Sequence, residues 1–254
     1  MDETRKVVEL LRKCDSILFI TGAGISAESG LPTYRGIGGL YETDDTEDGV
    51  PVEVALSGEM LIENPQVTWK YLLEIERNCR SAKFNRAHEI IAEIERHFKR
   101  VWVLTQNVDG FHSAAGAKNV IEIHGRLHHL KCMKCHWRDA VEDFSSLTLP
   151  PKCPECGFFI RPDVVLFGEM LAFDKYQMLT DQLQRGFDIY FWIGTTGVFP
   201  YIQAPLSDAK YLGKPTVEIN PDETLLSDEV DIRIPLKAGE ALEDIWGGYK
   251  SACK

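Results

Sequence analysis

The chain contains 254 residues, of which 44% are apolar and 26% are charged, and its formal net charge is -11. This composition is ordinary for a soluble globular protein, and the length suffices for one large domain or for a large domain with a small one inserted. The negative charge argues against a general nucleic-acid-binding surface, because such a surface presents clustered lysine and arginine side chains.

The first predicted element is an amphipathic helix near the N-terminus, with an apolar stripe formed by Val7, Val8, Leu10 and Leu11. It is unlike a secretory signal, which needs an uninterrupted apolar segment. The next apolar run, residues 17–20, is far too short to cross a bilayer. We therefore expect a cytoplasmic protein that makes no membrane contact.

Short runs of β-branched and aromatic residues predict buried strands. They cover residues 17–20, 101–105, 120–123, 164–167, 189–193 and 216–219. Helical patterns lie between some of these runs, notably over residues 85–98. Strands that alternate with helices predict a mostly parallel sheet with helices on both faces, which is the doubly wound α/β class.

Two regions interrupt this alternation. Residues 37–82 contain no convincing strand, and their second half has helical patterns such as residues 65–80. Residues 128–161 hold four of the seven cysteines. Since there is no internal repeat and no long linker, we interpret both regions as insertions into one domain.

The cysteine region predicts a zinc site. It contains Cys132 and Cys135 in one CxxC pair, then 17 residues, then Cys153 and Cys156 in a second pair. Two such pairs can form a tetrahedral cage of four thiolates, which suits one Zn²⁺ ion. Four sulfur ligands leave no position for water or substrate. The zinc is therefore predicted to be structural and to hold an insertion too small to bury its own core.

A zinc site of this kind can also belong to a nucleic-acid-binding ribbon. Basic and acidic side chains balance around the cysteines, namely Lys131, Lys134, Arg138 and Lys152 against Asp139, Glu142, Asp143 and Glu155. A surface that follows phosphates needs an excess of positive charge. We therefore do not expect direct nucleic-acid binding.

A glycine-rich turn follows the first predicted strand, with the sequence Gly22-Ala23-Gly24-Ile25-Ser26-Ala27. The spacing fits the permissive form G-x-G-x-x-A of a dinucleotide-binding turn, in which backbone N–H groups hold a pyrophosphate. A hydride-transferring dehydrogenase also needs a second strand that ends in an acidic residue about 20 residues later. Here Glu42 lies in a glycine-broken stretch with no predicted strand, so the pattern argues against hydride transfer.

Polar side chains follow several other predicted strands. They occur at residues 105–109, at His124, at residues 194–196 and at residues 218–221. In open α/β sheets the ligand crevice lies outside the carboxyl ends of the strands. We therefore expect these groups to converge on one site.

Several motifs of the chain, taken together and in order, resemble those of the sirtuin family of NAD-dependent protein deacylases. They are GAGISAESGLPTYRG, TQNVDG, IHG, the two CxxC pairs, PDVVLFGE, GTT and EIN. The resemblance runs from about residue 17 to residue 220. It implies a Rossmann-like NAD-binding domain made of residues 1–36, 83–127 and 162–254. It also implies a small domain that combines a helical insertion, residues 37–82, with a zinc ribbon, residues 128–161. NAD would be a substrate that the reaction consumes.

The resemblance also implies roles for individual residues. Those matching NAD contacts are Gly22, Ala23, Gly24, Ile25, Tyr34, Arg35, Gln106, Asn107, Asp109, Gly194, Thr195, Thr196, Asn220 and Ala238. His124 matches the general base, and Asn107 is assigned to catalysis with it. Residues matching the substrate-binding segment are Val164, Val165, Leu166, Phe167 and Gly168, and Tyr71 is assigned to the acyl pocket. Two positions depart from the family pattern, because Tyr34 replaces Phe and Thr196 replaces Ser.

In the implied reaction, the acyl oxygen of an acyl-lysine attacks the anomeric carbon of the nicotinamide ribose as nicotinamide leaves. His124 then accepts a proton from a ribose hydroxyl, which suits a side chain that titrates near neutral pH. The products are free lysine, nicotinamide and O-acyl-ADP-ribose. We expect acyl-lysine proteins or peptides as partners, and a monomer.

Family members that remove succinyl or malonyl groups carry an Ala, a Tyr sixteen positions later and an Arg three positions beyond it. Here Ala55 and Tyr71 have this separation, but the third position is Glu74, with Arg77 one turn further. Because a carboxylate repels another carboxylate, we expect weak activity on acidic acyl groups and better activity on neutral ones.

The motifs leave alternatives open. A protein mono-ADP-ribosyltransferase or an NAD glycohydrolase breaks the same glycosidic bond first. A module that only senses NAD, or that binds a partner through its zinc ribbon, has no need of the base His124.

Overall fold

The computed structural model describes residues 2–32 and 46–253. Its strands, in chain order, are β1 Ser16–Thr21, β2 Arg100–Thr105, β3 Val120–Glu122, β4 Gly125–Cys132, β5 Arg138–Ala140, β6 Ile160–Val164, β7 Ile189–Ile193, β8 Thr216–Ile219 and β9 Ile232–Ile234. Six of them form a parallel sheet in the order β3-β2-β1-β7-β8-β9. The other three form an antiparallel sheet in the order β5-β4-β6.

The α-helices of the described residues are α1 Glu3–Leu11, α2 Val52–Ala55, α3 Gly58–Glu63, α4 Pro65–Ser81, α5 Arg86–Glu95, α6 Phe111–Ala114, α7 Phe173–Gln184, α8 Pro200–Tyr211 and α9 Ala238–Ala252. Two short 3₁₀ helices, Ala23–Ile25 and Ala27–Ser29, follow β1. Within residues 2–32 and 46–253, none of the helices has the length and apolar character that crossing a bilayer requires.

The parallel sheet is buried on both faces, and alternate residues of β1 enter different cores. Ile17 and Phe19 pack with apolar residues of α1, α5 and α9. Leu18 and Ile20 pack with residues of α7 and α8 on the opposite face. This arrangement confirms the predicted α/β class, because continuous apolar strands need helices on both faces of the sheet.

A third core lies between the antiparallel sheet and α2–α4. Trp69 of α4 is fully buried there, 5.5 Å from the ring of Phe144. Leu127 and Leu130 of β4 and Ile160 of β6 belong to the same core. The two regions that interrupt the sequence pattern therefore share one apolar core, while the domain boundaries given above stay a prediction.

One predicted strand is wrong. Residues 164–167 were expected to form a buried strand, but β6 ends at Val164 and belongs to the antiparallel sheet. Val164 and Leu166 are apolar because they pack into the third core. Phe167 makes an isolated parallel bridge to Ser57 instead. A run of four apolar residues reports burial, but it does not say which sheet buries it.

Candidate active site

The glycine-rich turn packs directly on the turn that follows β7. A Cβ atom on Gly22 would lie 2.7 Å from the carbonyl oxygen of Gly194, and one on Gly24 would lie 2.6 Å from its Cα atom. The N–H of Gly24 donates to the Gly194 oxygen at 2.9 Å. Gly194 itself has φ +58°, a conformation that favours glycine. The glycines are therefore required by the contact between two backbone turns. The sequence analysis explained them only by the binding of a pyrophosphate.

Two amide side chains after β2 connect these turns. Gln106 Nε2 donates to Thr195 Oγ1 at 2.8 Å. Asn107 Nδ2 donates to the Gly22 oxygen at 3.1 Å and lies 3.2 Å from Ser26 Oγ. The carboxyl ends of β1, β2 and β7 are therefore joined by side-chain hydrogen bonds, as the convergence of polar groups predicted.

Asp109 lines a cleft beside this network, together with Ala23 and Val108. Its carboxylate accepts hydrogen bonds from Ser26 Oγ at 2.8 Å and from the Phe111 N–H at 2.9 Å. Burial raises the pKa of Asp109 despite these two donors. Most of the cleft lining is apolar or amide-bearing, and it includes Leu31, Pro32, Ile75, Asn78 and Cys79.

Ser26 is a site residue that the sequence analysis did not single out. It is 1% exposed and links Asn107 to Asp109. Its position two residues after Gly24, inside the glycine-rich motif, was the available signal.

His124 follows β3 and is partly buried at the same edge. Its Nδ1 lies 2.9 Å from the Gln106 carbonyl oxygen, which can only accept, so Nδ1 carries the proton of the neutral ring. Nε2 is then the basic atom, and the hydroxyl of Tyr201 lies 2.5 Å from it. Burial lowers the pKa of His124 to about 4, so the imidazole is neutral at physiological pH.

The other predicted NAD contacts have different degrees of exposure. Thr195 is 5% exposed and accepts a bond from Asn220 Nδ2 through its carbonyl oxygen, whereas Thr196 is exposed. Ala238 is the first residue of α9 and is buried. The side chain of Ile25 is fully buried in the core, so only its backbone faces the turn. Tyr34 and Arg35 lie outside the described residues.

Glu28 is a second residue that the motifs did not single out. Its carboxylate accepts a hydrogen bond from the N–H of Gly239 at 2.7 Å. This contact ties the segment after the glycine-rich turn to the first turn of α9, where the aligned N–H groups favour a negative charge.

The predicted peptide-binding segment runs from the base to the helical insertion. The N–H of Val165 donates to the His124 oxygen at 2.8 Å. Phe167 donates to the Leu56 oxygen at 3.0 Å and accepts from the Gly58 N–H at 3.1 Å. The Phe167 side chain is 38% exposed, and Gly168 is exposed. Both backbone groups of Phe167 are therefore already paired within the protein.

Tyr71 is 3% exposed in the third core, and its hydroxyl donates to Asp48. Ala55 is fully buried, whereas Glu74 and Arg77 are exposed on α4. The assignment of these residues to acyl selectivity stays a prediction.

The four predicted zinc ligands form one cluster, with all four sulfur atoms within 4.8 Å of one another. Cys132 and Cys156 are 3.5 Å apart, and Cys135 and Cys153 are 3.6 Å apart. Zinc–sulfur bonds of about 2.3 Å in a tetrahedron place sulfur atoms about 3.8 Å apart, whereas a disulfide needs about 2.05 Å. The donor set and its spacing therefore fit one structural zinc ion.

Comparison with known proteins agrees with this geometry. The model of the Sir2 family matches residues 22–200. NAD-dependent protein deacylase 2 of Pseudomonas aeruginosa is 47% identical over 240 residues, which cover 93% of this chain and 92% of that protein.

Solved structures extend the match to three dimensions. A Sir2 homologue in complex with NAD matches with a TM-score of 0.88 and 34% identity, covering 98% of this chain and 95% of that one. A Sir2 structure with a deacetylated p53 peptide and 3'-O-acetyl ADP-ribose matches with a TM-score of 0.86 and 28% identity, covering 96% and 98%. The resemblance inferred from the motifs is confirmed: the chain belongs to the Sir2 family.

Proposed function

We propose that this chain is an NAD-dependent protein deacylase whose active site is the carboxyl edge of the parallel sheet. The observation that carries the proposal is His124, a neutral imidazole whose Nδ1 is bonded to Gln106, within the network that joins the two glycine turns. Relatives named NAD-dependent protein deacylase, and Sir2 structures with NAD and with a peptide, support this activity. The enzyme moves the acyl group of an acyl-lysine onto ADP-ribose and releases nicotinamide.

The residues at this edge fit NAD as the second substrate. Asn107, Asp109 and Ser26 line the cleft, and a carboxylate acceptor beside an amide suits the carboxamide of nicotinamide. Thr195 and Asn220 lie at the same edge, after β7 and β8, and we assign them to the adenosine half of NAD. When bound, NAD supplies the anomeric carbon that the acyl oxygen attacks.

His124 acts as the general base. The Gln106 carbonyl holds its Nδ1 proton, so Nε2 is the nitrogen that accepts the proton of the ribose hydroxyl. A positioned base of this kind contributes about 10²- to 10⁴-fold to a rate. Asn107 holds the edge in position through its bonds to Gly22 and Ser26.

The acyl-lysine peptide binds beside His124, along residues 164–168. Extended peptides gain affinity by pairing with an exposed backbone edge, which demands little of the side chains. Because both backbone groups of Phe167 are bonded to the helical insertion, the pairing groups belong to its neighbours, and the exposed Phe167 ring contacts the substrate side chains. The cytoplasmic location and the monomeric state stay predictions from the sequence.

Mass spectrometry of a reaction with NAD and acetyl-, succinyl- and long-chain acyl-lysine peptides tests this function. We expect deacylated peptide with equal amounts of nicotinamide and O-acyl-ADP-ribose, and loss of all three in the His124→Ala variant. Nicotinamide release without deacylation would indicate ADP-ribosyl transfer or NAD hydrolysis. Binding of NAD without any product would indicate an NAD-sensing module.

A further inference from the structure

The hydroxyl of Tyr201 is hydrogen-bonded to Nε2 of His124, the atom with which the proposed base must accept a proton. Nδ1 of His124 donates to the Gln106 oxygen, so Nε2 presents a lone pair, and the Tyr201 oxygen lies 2.5 Å from it. An imidazole nitrogen without a proton can only accept, so the phenol must be the donor. Burial raises the pKa of Tyr201 to about 12, which keeps the proton on the phenol.

Packing places Tyr201 in this position. It lies in the first turn of α8 and packs against the core under the sheet. Its ring stacks on Phe199, with 5.4 Å between centroids and 11° between planes, and Phe199 meets the His124 ring edge-on at 5.6 Å. Trp192 Nε1 donates to the Ile202 oxygen at 2.9 Å and fixes the same helical turn to β7.

A single lone pair cannot accept two hydrogen bonds. We propose that Tyr201 is a positioning residue for the general base: its hydroxyl caps His124 Nε2 before the reaction and yields that place to the ribose hydroxyl. This inference rests on the proposed function, since it needs His124 to act as the base. No motif identified residue 201 from the sequence.

The cap also has an electrostatic consequence. A donor to the lone pair stabilises the neutral ring, so it lowers the pKa of His124 in the same direction as burial. The positive charge of Lys175 also lowers the pKa of His124. The Lys175 ammonium donates to the backbone carbonyl oxygen of Glu122 at 2.8 Å. Glu122 and Arg126, on the strands that flank His124, form an ion pair with each other.

Removal of the hydroxyl should therefore make the base easier to protonate. Since the base works only when neutral, activity falls as the pH drops through its pKa. In Tyr201→Phe this fall should move to higher pH by about half a unit to one unit, which corresponds to one hydrogen bond. The plateau rate should change by less than about 10-fold, because the ribose hydroxyl no longer has to displace the phenol.

Two measurements on the full chain test the inference. ¹⁵N NMR of the imidazole, without substrate, reports the protonated nitrogen and the pKa of His124, with its signals assigned by their loss in His124→Asn. The pH dependence of kcat/KM for deacylation reports the base during catalysis. Tyr211→Phe is the matched control, because Tyr211 lies on the same helix and is 91% exposed.

A higher His124 pKa in Tyr201→Phe, with a matching move of the pH profile and no change in Tyr211→Phe, would support the cap. An identical His124 pKa in the wild type and in Tyr201→Phe would overturn it. Loss of deacylation at every pH with an unchanged pKa would also overturn it, in favour of direct substrate contact. Full deacylation by His124→Asn would instead refute the proposed base, while the NMR comparison still decides the contact.

If Tyr201→Phe does not fold, 3-fluorotyrosine at residue 201 gives a second test. Its hydroxyl is a stronger donor, so both the NMR pKa and the pH profile should move to lower pH. A shift to higher pH, or no shift, would contradict the cap.

Discussion

At the carboxyl edge of the parallel sheet, Gly22 and Gly24 lie against Gly194, and the side chains that follow β1, β2 and β7 bond to one another. The four-cysteine cluster is held differently. Its ligands lie at and beyond the ends of β4 and β6, Cys156 is exposed, and every residue of the neighbouring strand β5 is exposed. The first region lies at the edge of a sheet that has an apolar core on each face. The second region contributes Cys132 and Cys153 to the core that it shares with α4.

The difference shows how two sites in one chain can obtain their geometry from different sources. Burial of both faces of the parallel sheet fixes its strand ends before any ligand arrives. A short antiparallel sheet with one exposed edge strand needs a metal to replace the missing apolar area. Perturbations that act on one region and spare the other therefore test this separation.

Removal of the zinc should have the largest effect. Zinc binding supplies about 10–16 kcal/mol in small zinc domains, so Cys153→Ser or chelation should unfold β4–β6 and leave the parallel sheet in place. Hydrogen exchange measured by mass spectrometry should show lost protection in residues 127–164 and retained protection in β1, β2 and β7. Cys253→Ser, at an exposed terminal position, is the control. A Cys153→Ser protein that still binds one zinc per chain with full protection would contradict the assignment.

His124→Asn should have the next largest effect, confined to the other region. Loss of the base should lower deacylation about 10²- to 10⁴-fold. Zinc content and NAD binding should not change, since within residues 2–32 and 46–253 the hydrogen-bond partners of the ring are Gln106 and Tyr201. His129→Asn, at an exposed position on β4, should retain full activity. Wild-type rates in His124→Asn would remove the proposed role.

Gly24→Ala should weaken the cofactor edge. The new Cβ atom would lie 2.6 Å from Gly194 Cα and 2.9 Å from the Gly194 oxygen. Because both are backbone atoms, neither can move aside freely. We expect a loss of about 1–3 kcal/mol in the free energy of unfolding, with weaker NAD binding. Chemical denaturation and calorimetry measure the two. Gly247→Ala, in α9 with open space around the new methyl group, should be neutral or stabilising. Equal stability of the two variants would show that the glycine contact is not needed.

Glu74→Arg should have the smallest effect. An exposed arginine on α4 would attract an acidic acyl group by no more than a surface ion pair, so desuccinylation should rise at most about five-fold. The hydroxyl of Tyr71 already donates to Asp48, which further limits the gain. Kinetics with succinyl- and acetyl-lysine peptides measure it, with Glu63→Arg as an exposed control on α3. If desuccinylation does not rise at all, the placement of the acyl pocket is wrong.

The sequence alone identified most of the parallel sheet and the zinc ligands. Continuous apolar runs such as residues 17–20 and 189–193 carry a strong signal because both faces of these strands are buried. The strands β4, β5 and β9 were not predicted, and of β6 the prediction covered only Val164. Two of them have only three residues each, and β4 alternates buried with partly exposed positions. Residues 164–167 were assigned to a buried strand because they are apolar. Local hydrophobicity does not specify which strand or helix such a segment packs against.

For the site, the sequence determined which residue types lie at the strand ends. Gly22 and Gly24, Asn107, and His124 each come shortly after a predicted strand. Only the tertiary structure decided which of them meet. The contact of Gly24 with Gly194 and the hydrogen bond of Tyr201 to His124 join residues 170 and 77 positions apart. Contacts of this kind depend on how helices and turns pack across the sheet, and no local pattern in the chain encodes them.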